Sequence, residues 1–387
     1  MIRCRSLAVG ALALGVAAES RADPGSLTDA EWQPGSSGVT PASERPAERR
    51  DPTALDPARR ALNTAAAVGP GAIVHGAGHA AAGRPDTARR LALTQATGLG
   101  LMVGGLAGLA LTGASRYLVA PLALGVIAGG GLFFLPWAAD IYGTAIYPDA
   151  AEVAPRRAPR LVSELGHRYV HDPQFRYRHF LAQGTELRLG PGRVSYGGWF
   201  ALDDQNARVR LAGGYRLSGP TPEAAARDGS FVEGELALTH HRFDSDGFRS
   251  ATAEVSLGAR RDLVRWDRAL AGSFVEGSFG LALQRFEYRV PGMAIPADTN
   301  DLLLARYAFG FYLGQGESSG EAQVFYDHRH DDYAAGLQLT GLGSGVAGHF
   351  GVDARWFWGS FGLRAEAQVG SAWLGGLSLM FRRGEAR

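Results

Sequence analysis

The chain contains no lysine, so all 39 basic residues are arginine. We read that absence as base composition rather than function. There is a single cysteine, Cys4. It precedes the apolar run of the N-terminus, whereas the cysteine of a lipoprotein would follow it. A net charge of +1 gives no global attraction for nucleic acid, so none is expected as a partner. Two catalytic signatures are absent as well. The glutamate of an HExxH metalloprotease helix is missing, and no G-x-S-x-G stands in a strand–helix context around Ser278 or Ser344.

What is present begins with a secretory pattern. Arg3 and Arg5 are followed by an apolar stretch from Leu7 to Ala18 and then by Ser20-Arg21-Ala22. Residues 1–22 read as a signal peptide, and cleavage after Ala22 leaves a mature protein without cysteine. Residues 23–57 are rich in Pro, Ser, Glu and Asp, have no periodicity, and read as a disordered linker.

Residues 58–150 differ in kind, being rich in Gly, Ala and Leu. Leu91–Leu111 and Leu118–Ala139 are uncharged apolar runs, each long enough to span a bilayer. A weaker segment, Ala61–Gly83, is broken at Pro70 and Gly71. Three helical segments are expected, the last two forming a hairpin around Gly113-Ala114-Ser115. Gly100, Gly104 and Gly108, spaced four apart, allow close helix contact. Residues 151–180, with Arg156, Arg157, Arg160 and Arg168, read as a connector.

From residue 181 the period changes to two, the strand period. Leu303, Ala305, Tyr307, Phe309, Phe311 and Leu313 share one face; Arg306, Ala308, Gly310, Tyr312 and Gly314 share the other. Twelve such stretches are expected: 181–190, 193–203, 206–218, 230–244, 247–261, 268–289, 301–315, 318–331, 333–343, 345–359, 361–371 and 373–382. Each ends in a Gly, Asp, Asn or Ser turn. In lipid only helices and closed barrels satisfy their backbone, and an apolar outside around a polar inside suits a barrel. The fold class expected is mainly β: an antiparallel transmembrane β-barrel at 181–387, preceded by a small hydrophobic α-helical region. A soluble sandwich also buries an apolar face. The secretory start and the aromatic strand ends at Trp356, Trp358, Trp373 and Phe381 favour the membrane.

The last strand, Trp373-Leu-Gly-Gly-Leu-Ser-Leu-Met-Phe381, resembles the C-terminal signal of Gram-negative outer-membrane β-barrel proteins, with alternating apolar residues and a closing aromatic. Here six further residues follow it. The resemblance covers about the last 210 residues. It implies an outer-membrane location with the N-terminal region in the periplasm, and partners in the lipid bilayer, lipopolysaccharide and the barrel-assembly machinery. It names no activity. Against this background the helical region either packs on itself or on the periplasmic end of the barrel, or inserts in membrane.

Three sets of residues could carry chemistry. His75 and His79, at i and i+4, share a helix face and could bind zinc, with Asp140 supplying a carboxylate. The alternative is two structural histidines where glycines let helices cross closely. The run Tyr326-Asp327-His328-Arg329-His330-Asp331-Asp332 is also rich in metal-capable groups, and sits at a strand end where solvated turn chemistry is the plainer reading. The inner face carries many charges of both signs. Arg208, Arg210, Glu233, Glu235, Glu254, Arg306, Glu321, Asp353, Arg355, Arg364 and Glu366 are expected to line the lumen, with Glu186, Arg188, Arg216, Arg260, Glu276, Asp327 and Arg329 on the same face. Such charges pair across strands and fill a lumen, or line a pore. No cofactor is expected.

The functional expectation is a non-enzymatic outer-membrane barrel, either a structural and assembly component or a small-solute channel with a charged lumen. One alternative is a barrel enzyme acting on lipid, for which His240, His241 and His349 lie near or on strands without a serine motif. Another is an envelope protein with membrane helices and a periplasmic β-domain.

Overall fold

In a computed structural model, the described residues are 57–115, 117–146, 157–172, 178–243, 247–288, 296–315, 318–329, 333 and 348–384. The signal peptide, and all of the linker but Pro57, lie outside them.

Twelve strands follow one another round a closed ring. They are β1 Leu161–His171, β2 His179–Leu189, β3 Gly192–Ala201, β4 Ala207–Ser218, β5 Phe231–Arg242, β6 Phe248–Asp262, β7 Ser273–Tyr288, β8 Asp298–Gln315, β9 Ser318–Asp327, β10 His349–Trp358, β11 Phe361–Val369 and β12 Trp373–Arg383. Every neighbour is antiparallel, and the ring closes by pairing β1 with β12 from Leu161↔Arg383 to His171↔Trp373. Closure leaves no edge strand among the described residues, although β8 extends from Asp298 to Leu304 beyond its described pairing with β9.

The strands turn their apolar side chains outward. Leu211, Leu236, Leu257, Leu281, Val324, Val352, Leu363 and Leu379 are all exposed, while charged Glu233, Glu254, Asp353 and Glu366 are buried between them in sequence. This inverts the soluble pattern and is that of a barrel in lipid. Exposed aromatics stand at both rims: Trp358 and Phe361 at the end holding Leu161 and Arg383, Trp373 at the other.

The barrel departs from the sequence expectation at three points. First, the barrel begins at Leu161, inside the stretch read as a connector. The outer face of β1 mixes Leu165 and Tyr169 with Ser163, His167 and His171, so its apolar alternation is weak. Second, β7 starts at Ser273 and not at 268, because residues 268–270 form a short 3-10 turn capped by Asp267. Third, a strand added at the front shifts the parity of every connection. With both barrel ends periplasmic, the sequence suggests an extracellular 219–229 loop and a periplasmic 290–300 connection. Instead, the β4–β5 connection lies at the end that holds Leu161 and Arg383, and the β7–β8 connection at the opposite end. The strand read at 333–343 lies outside the described residues except for Tyr333, which is in a turn.

Ahead of the barrel are α1 Pro57–Val68, α2 Ala77–Ala81, α3 Pro85–Leu111 and α4 Val119–Ala145. The last two form the expected hairpin, which turns where Gly113 and Ala114 both have positive φ. Gly98 and Gly129 let α3 and α4 touch backbone to backbone, since a Cβ on either would fall 2.7 Å or less from the facing chain.

The hairpin packs on the barrel, but against its outer wall. Tyr142 of α4 meets Phe309 edge-on at 6.0 Å and Phe311 at 5.7 Å. Gly131 lies against the ring of Tyr307. Leu91, Ala139, Leu263 and Leu270 complete this core. The outer face of β8, the most lipid-like in the sequence, is therefore covered by helix, and Phe309 is only 5% exposed.

Candidate functional site

The interior of the barrel is where the charges gather. Ion pairs between strands that are not neighbours fix which face is inward. Arg188 of β2 donates to Glu233 of β5 at 2.8 Å, and Arg260 of β6 donates to Glu321 of β9 at 2.9 Å. Such pairs can meet only inside the ring. By the same alternation Arg208, Arg210, Glu235, Glu254, Arg306, Asp353, Arg355, Arg364 and Glu366 lie on the inner face too.

The pairs join into networks. In the first, Glu233 takes Arg188, Arg193 and Arg216; Arg193 continues to Glu235; Arg210 bridges Glu235 and Glu254; and Glu254 also accepts two bonds from Arg329, at 2.7 and 2.9 Å. In the second, Glu276 takes Arg306 and Arg260, and Glu321 takes Arg260 and Arg355. In the third, Arg364 holds Asp353, Glu164 and Glu366, while Arg168 reaches Glu366 and donates to Ser378 of β12 at 2.7 Å. Every strand contributes to one of them. Several guanidiniums also lie over aromatic rings, Arg260 over Phe274 at 3.9 Å and Arg306 over Phe325 at 4.5 Å.

Eight strands enclose an interior that side chains just fill, whereas sixteen leave an aqueous channel. Twelve fall between, and here long arginines span the difference. A mixed-charge cavity of about 270 Å³ remains, lined by Arg193, Glu233, Glu235, Glu276, Arg306 and Arg329 among others.

At the rim opposite Leu161 and Arg383, two side chains that follow β9 in sequence lie inside the ring. Arg329 reaches Glu254 of β6. Farther round, the side chain of Tyr333 is buried against the opposite wall. Its ring stacks on Trp199 of β3 at 5.1 Å, packs on Phe180 of β2 at 4.8 Å and meets His241 of β5 edge-on. Its hydroxyl donates to Asn206 at 2.8 Å. An aromatic arc continues from His241 through Phe243 and Phe248 to Tyr288. Sequence reasoning missed Tyr333. Placed within an apparent strand, it carries no local signal of a residue that crosses the mouth.

The histidine sites resolve differently. Asp140 is fully buried in α4. Its carboxylate accepts from the backbone N–H groups of Gly76, Gly78 and His79 at 2.9–3.1 Å, and from His79 Nδ1 at 2.6 Å. It caps α2 and ties it to α4. His75 turns to the ring of Phe133 instead, and burial lowers its pKa against the opposing pull of Asp140. Among the described residues no group of three or more His, Cys, Asp or Glu side chains could hold a metal ion. In the Tyr326–Asp332 run, Tyr326 meets His328 and Arg329 joins the Glu254 network. His349 is buried on the inner face beside Phe325. His240 is exposed on the outer face between Val209 and Ala251.

No protein-family model matches the chain, and no characterised protein matches it in sequence. Among solved structures it is similar to the outer membrane protein Omp33 of Acinetobacter baumannii, at 12% identity and a TM-score of 0.30, over 58% of this chain and 98% of that one. It is also similar to the beta domain of the Bordetella autotransporter BrkA, at 13% identity and a TM-score of 0.33, over 58% of this chain and 99% of that one. A mutant porin of Rhodopseudomonas blastica is similar at 10% identity and a TM-score of 0.19, over 58% of this chain and 99% of that one. At these values the likenesses add nothing to the strand pairing that defines the barrel.

Proposed function

We propose that the protein is an outer-membrane barrel sealed by its own side chains, a structural or assembly component of the envelope rather than an open channel or an enzyme. The observation that carries this reading is the continuity of the interior. Its ion pairs draw on eleven of the twelve strands, a hydrogen bond from Arg168 to Ser378 ties in the twelfth, and the Tyr333 ring is buried on the wall opposite β9. Removing charges from water is expensive, and buried pairs hold only when each group keeps its partners. A network this complete favours one fixed arrangement over a hydrated pore, and its mixed sign offers a passing ion no preference.

An enzyme needs a nucleophile, a base and an oxyanion donor in mutual reach. The outward-facing His240 has Val209 and Ala251 as its strand neighbours, and His349 points into the barrel. The test is solute flux. Liposomes carrying the purified protein should swell in small sugars no faster than empty ones, and Tyr333→Ala combined with Arg329→Gln should admit sugar. Rapid swelling with the unaltered protein would favour a channel. Phospholipid hydrolysis lost with His349→Ala would put an enzyme first.

A further inference from the structure

We propose that the α3–α4 hairpin lies inside the bilayer, its outer face covered by lipid acyl chains, so that the protein crosses the membrane with two helices bound to the side of a barrel. This rests on the reading of the barrel as membrane-embedded. The partner is lipid, and continuity points to it. Tyr307, Phe309 and Phe311, on which α4 sits, belong to the same outward face as the exposed Leu281 of β7 and Val324 of β9. Whatever medium bathes those aliphatic side chains also bathes the helices docked beside them.

The hairpin's chemistry fits that medium. From Leu91 to Ser115, and again from Tyr117 to Ala139, there is no charged residue. The one charge inside the apolar length of α4 is Asp140, which is fully buried and hydrogen-bonded by α2. The exposed face instead carries Leu93, Leu99, Leu101, Val103, Leu106 and Leu111. In water this would be an apolar patch of a size that soluble surfaces avoid. Each helix has 27 residues, about 40 Å at 1.5 Å per residue, enough to cross a hydrocarbon layer of about 30 Å. Arg90 and Asp267 mark one boundary. Arg90 donates to the carbonyl of Trp266, and Thr87 to Asp267, both in the β6–β7 connection at the rim that holds Leu161 and Arg383.

The test uses the full chain in a Cys4→Ser background, reconstituted in liposomes whose phospholipids carry a brominated acyl chain. A fluorophore is attached singly through Val103→Cys on the hairpin, Leu236→Cys on the barrel wall, or Ala225→Cys in the β4–β5 connection. Bromine should quench positions 103 and 236 to the same extent and leave 225 bright. Quenching at 236 with aqueous iodide reaching 103 would overturn the inference and leave the membrane-embedded barrel standing. Shielding of 103 from both quenchers would overturn it in favour of a protein covering. Absence of bromine quenching at 236 would overturn the membrane reading itself.

Discussion

Asp140 accepts a hydrogen bond from Nδ1 of His79 at 2.6 Å, and neither side chain touches solvent. Three backbone N–H groups point at the same carboxylate. A short glycine-rich turn is thereby locked to a helix more than sixty residues later in the chain. The second contact face of that helix is the barrel, so Asp140 stands between the local order of residues 75–82 and the docking of the whole helical region.

Asp140→Asn replaces one acceptor oxygen with an amide that faces donors. Leaving a buried donor without its acceptor in this way costs about 1–3 kcal/mol. The expected outcome is local: residues 57–82 become open to protease and to hydrogen exchange, while the barrel still resists SDS without heating. His79→Ala should give a smaller loss of the same kind, because the backbone donors remain. Unchanged protection in both variants would show that the carboxylate is not what holds the turn.

The rim holding Leu161 and Arg383 contains a pH-dependent tie. Burial pushes the Asp228 carboxyl up, but hydrogen bonds from Arg265 and Ser230 outweigh burial and hold it below its ordinary 3.8. A depressed carboxylate adds stability that is complete above the unfolded value and fades as pH falls through the folded one. Cleavage of the 219–230 and 263–272 connections should therefore stay constant on acidification to about pH 4 and rise below it. Asp228→Asn should cleave faster at neutral pH and lose that acid step. An unaltered profile in the variant would place the titration elsewhere.

The two faces of the wall should tolerate change unequally. Leu236→Arg puts a charge on the exposed apolar face, at about 2–4 kcal/mol near the midplane, and should reduce the fraction that assembles. Phe309→Arg should reduce it too, for a different reason: it buries the charge against Tyr142 and detaches α4. Arg306→Gln should be mild, since Glu276 keeps Arg260. The measurement is the folded fraction on unheated gels. Equal tolerance of Leu236→Arg and Arg306→Gln would mean that the faces are misassigned.

Much of this architecture is legible from period alone. Leu303 to Gly314 announces its two faces because nothing interrupts the alternation. Leu161–His171 does not, because its outer positions include Ser163, His167 and His171, which pair with Phe381, Leu377 and Trp373 of β12 only once the ring closes. Long-range closure is invisible to local pattern. The inner charges are legible as a set but not as networks. Nothing in sequence distance joins Arg260 to Glu321 or Arg329 to Glu254; strand order does. Phe309 reads as lipid-facing because an outward aromatic on a strand looks the same whether lipid or helix covers it. Tyr333 is the hardest to anticipate, since its partners come from strands more than ninety residues earlier.

Single-channel recording in planar bilayers decides whether the interior of the barrel is closed. The unaltered protein should show little or no steady conductance. Arg260→Gln, Arg329→Gln and Arg364→Gln together remove one cation from each of three sets of cross-strand pairs and should raise it, by freeing carboxylates that then hydrate. A large, steady conductance in the unaltered protein, unchanged by these substitutions, would show that the lumen is open.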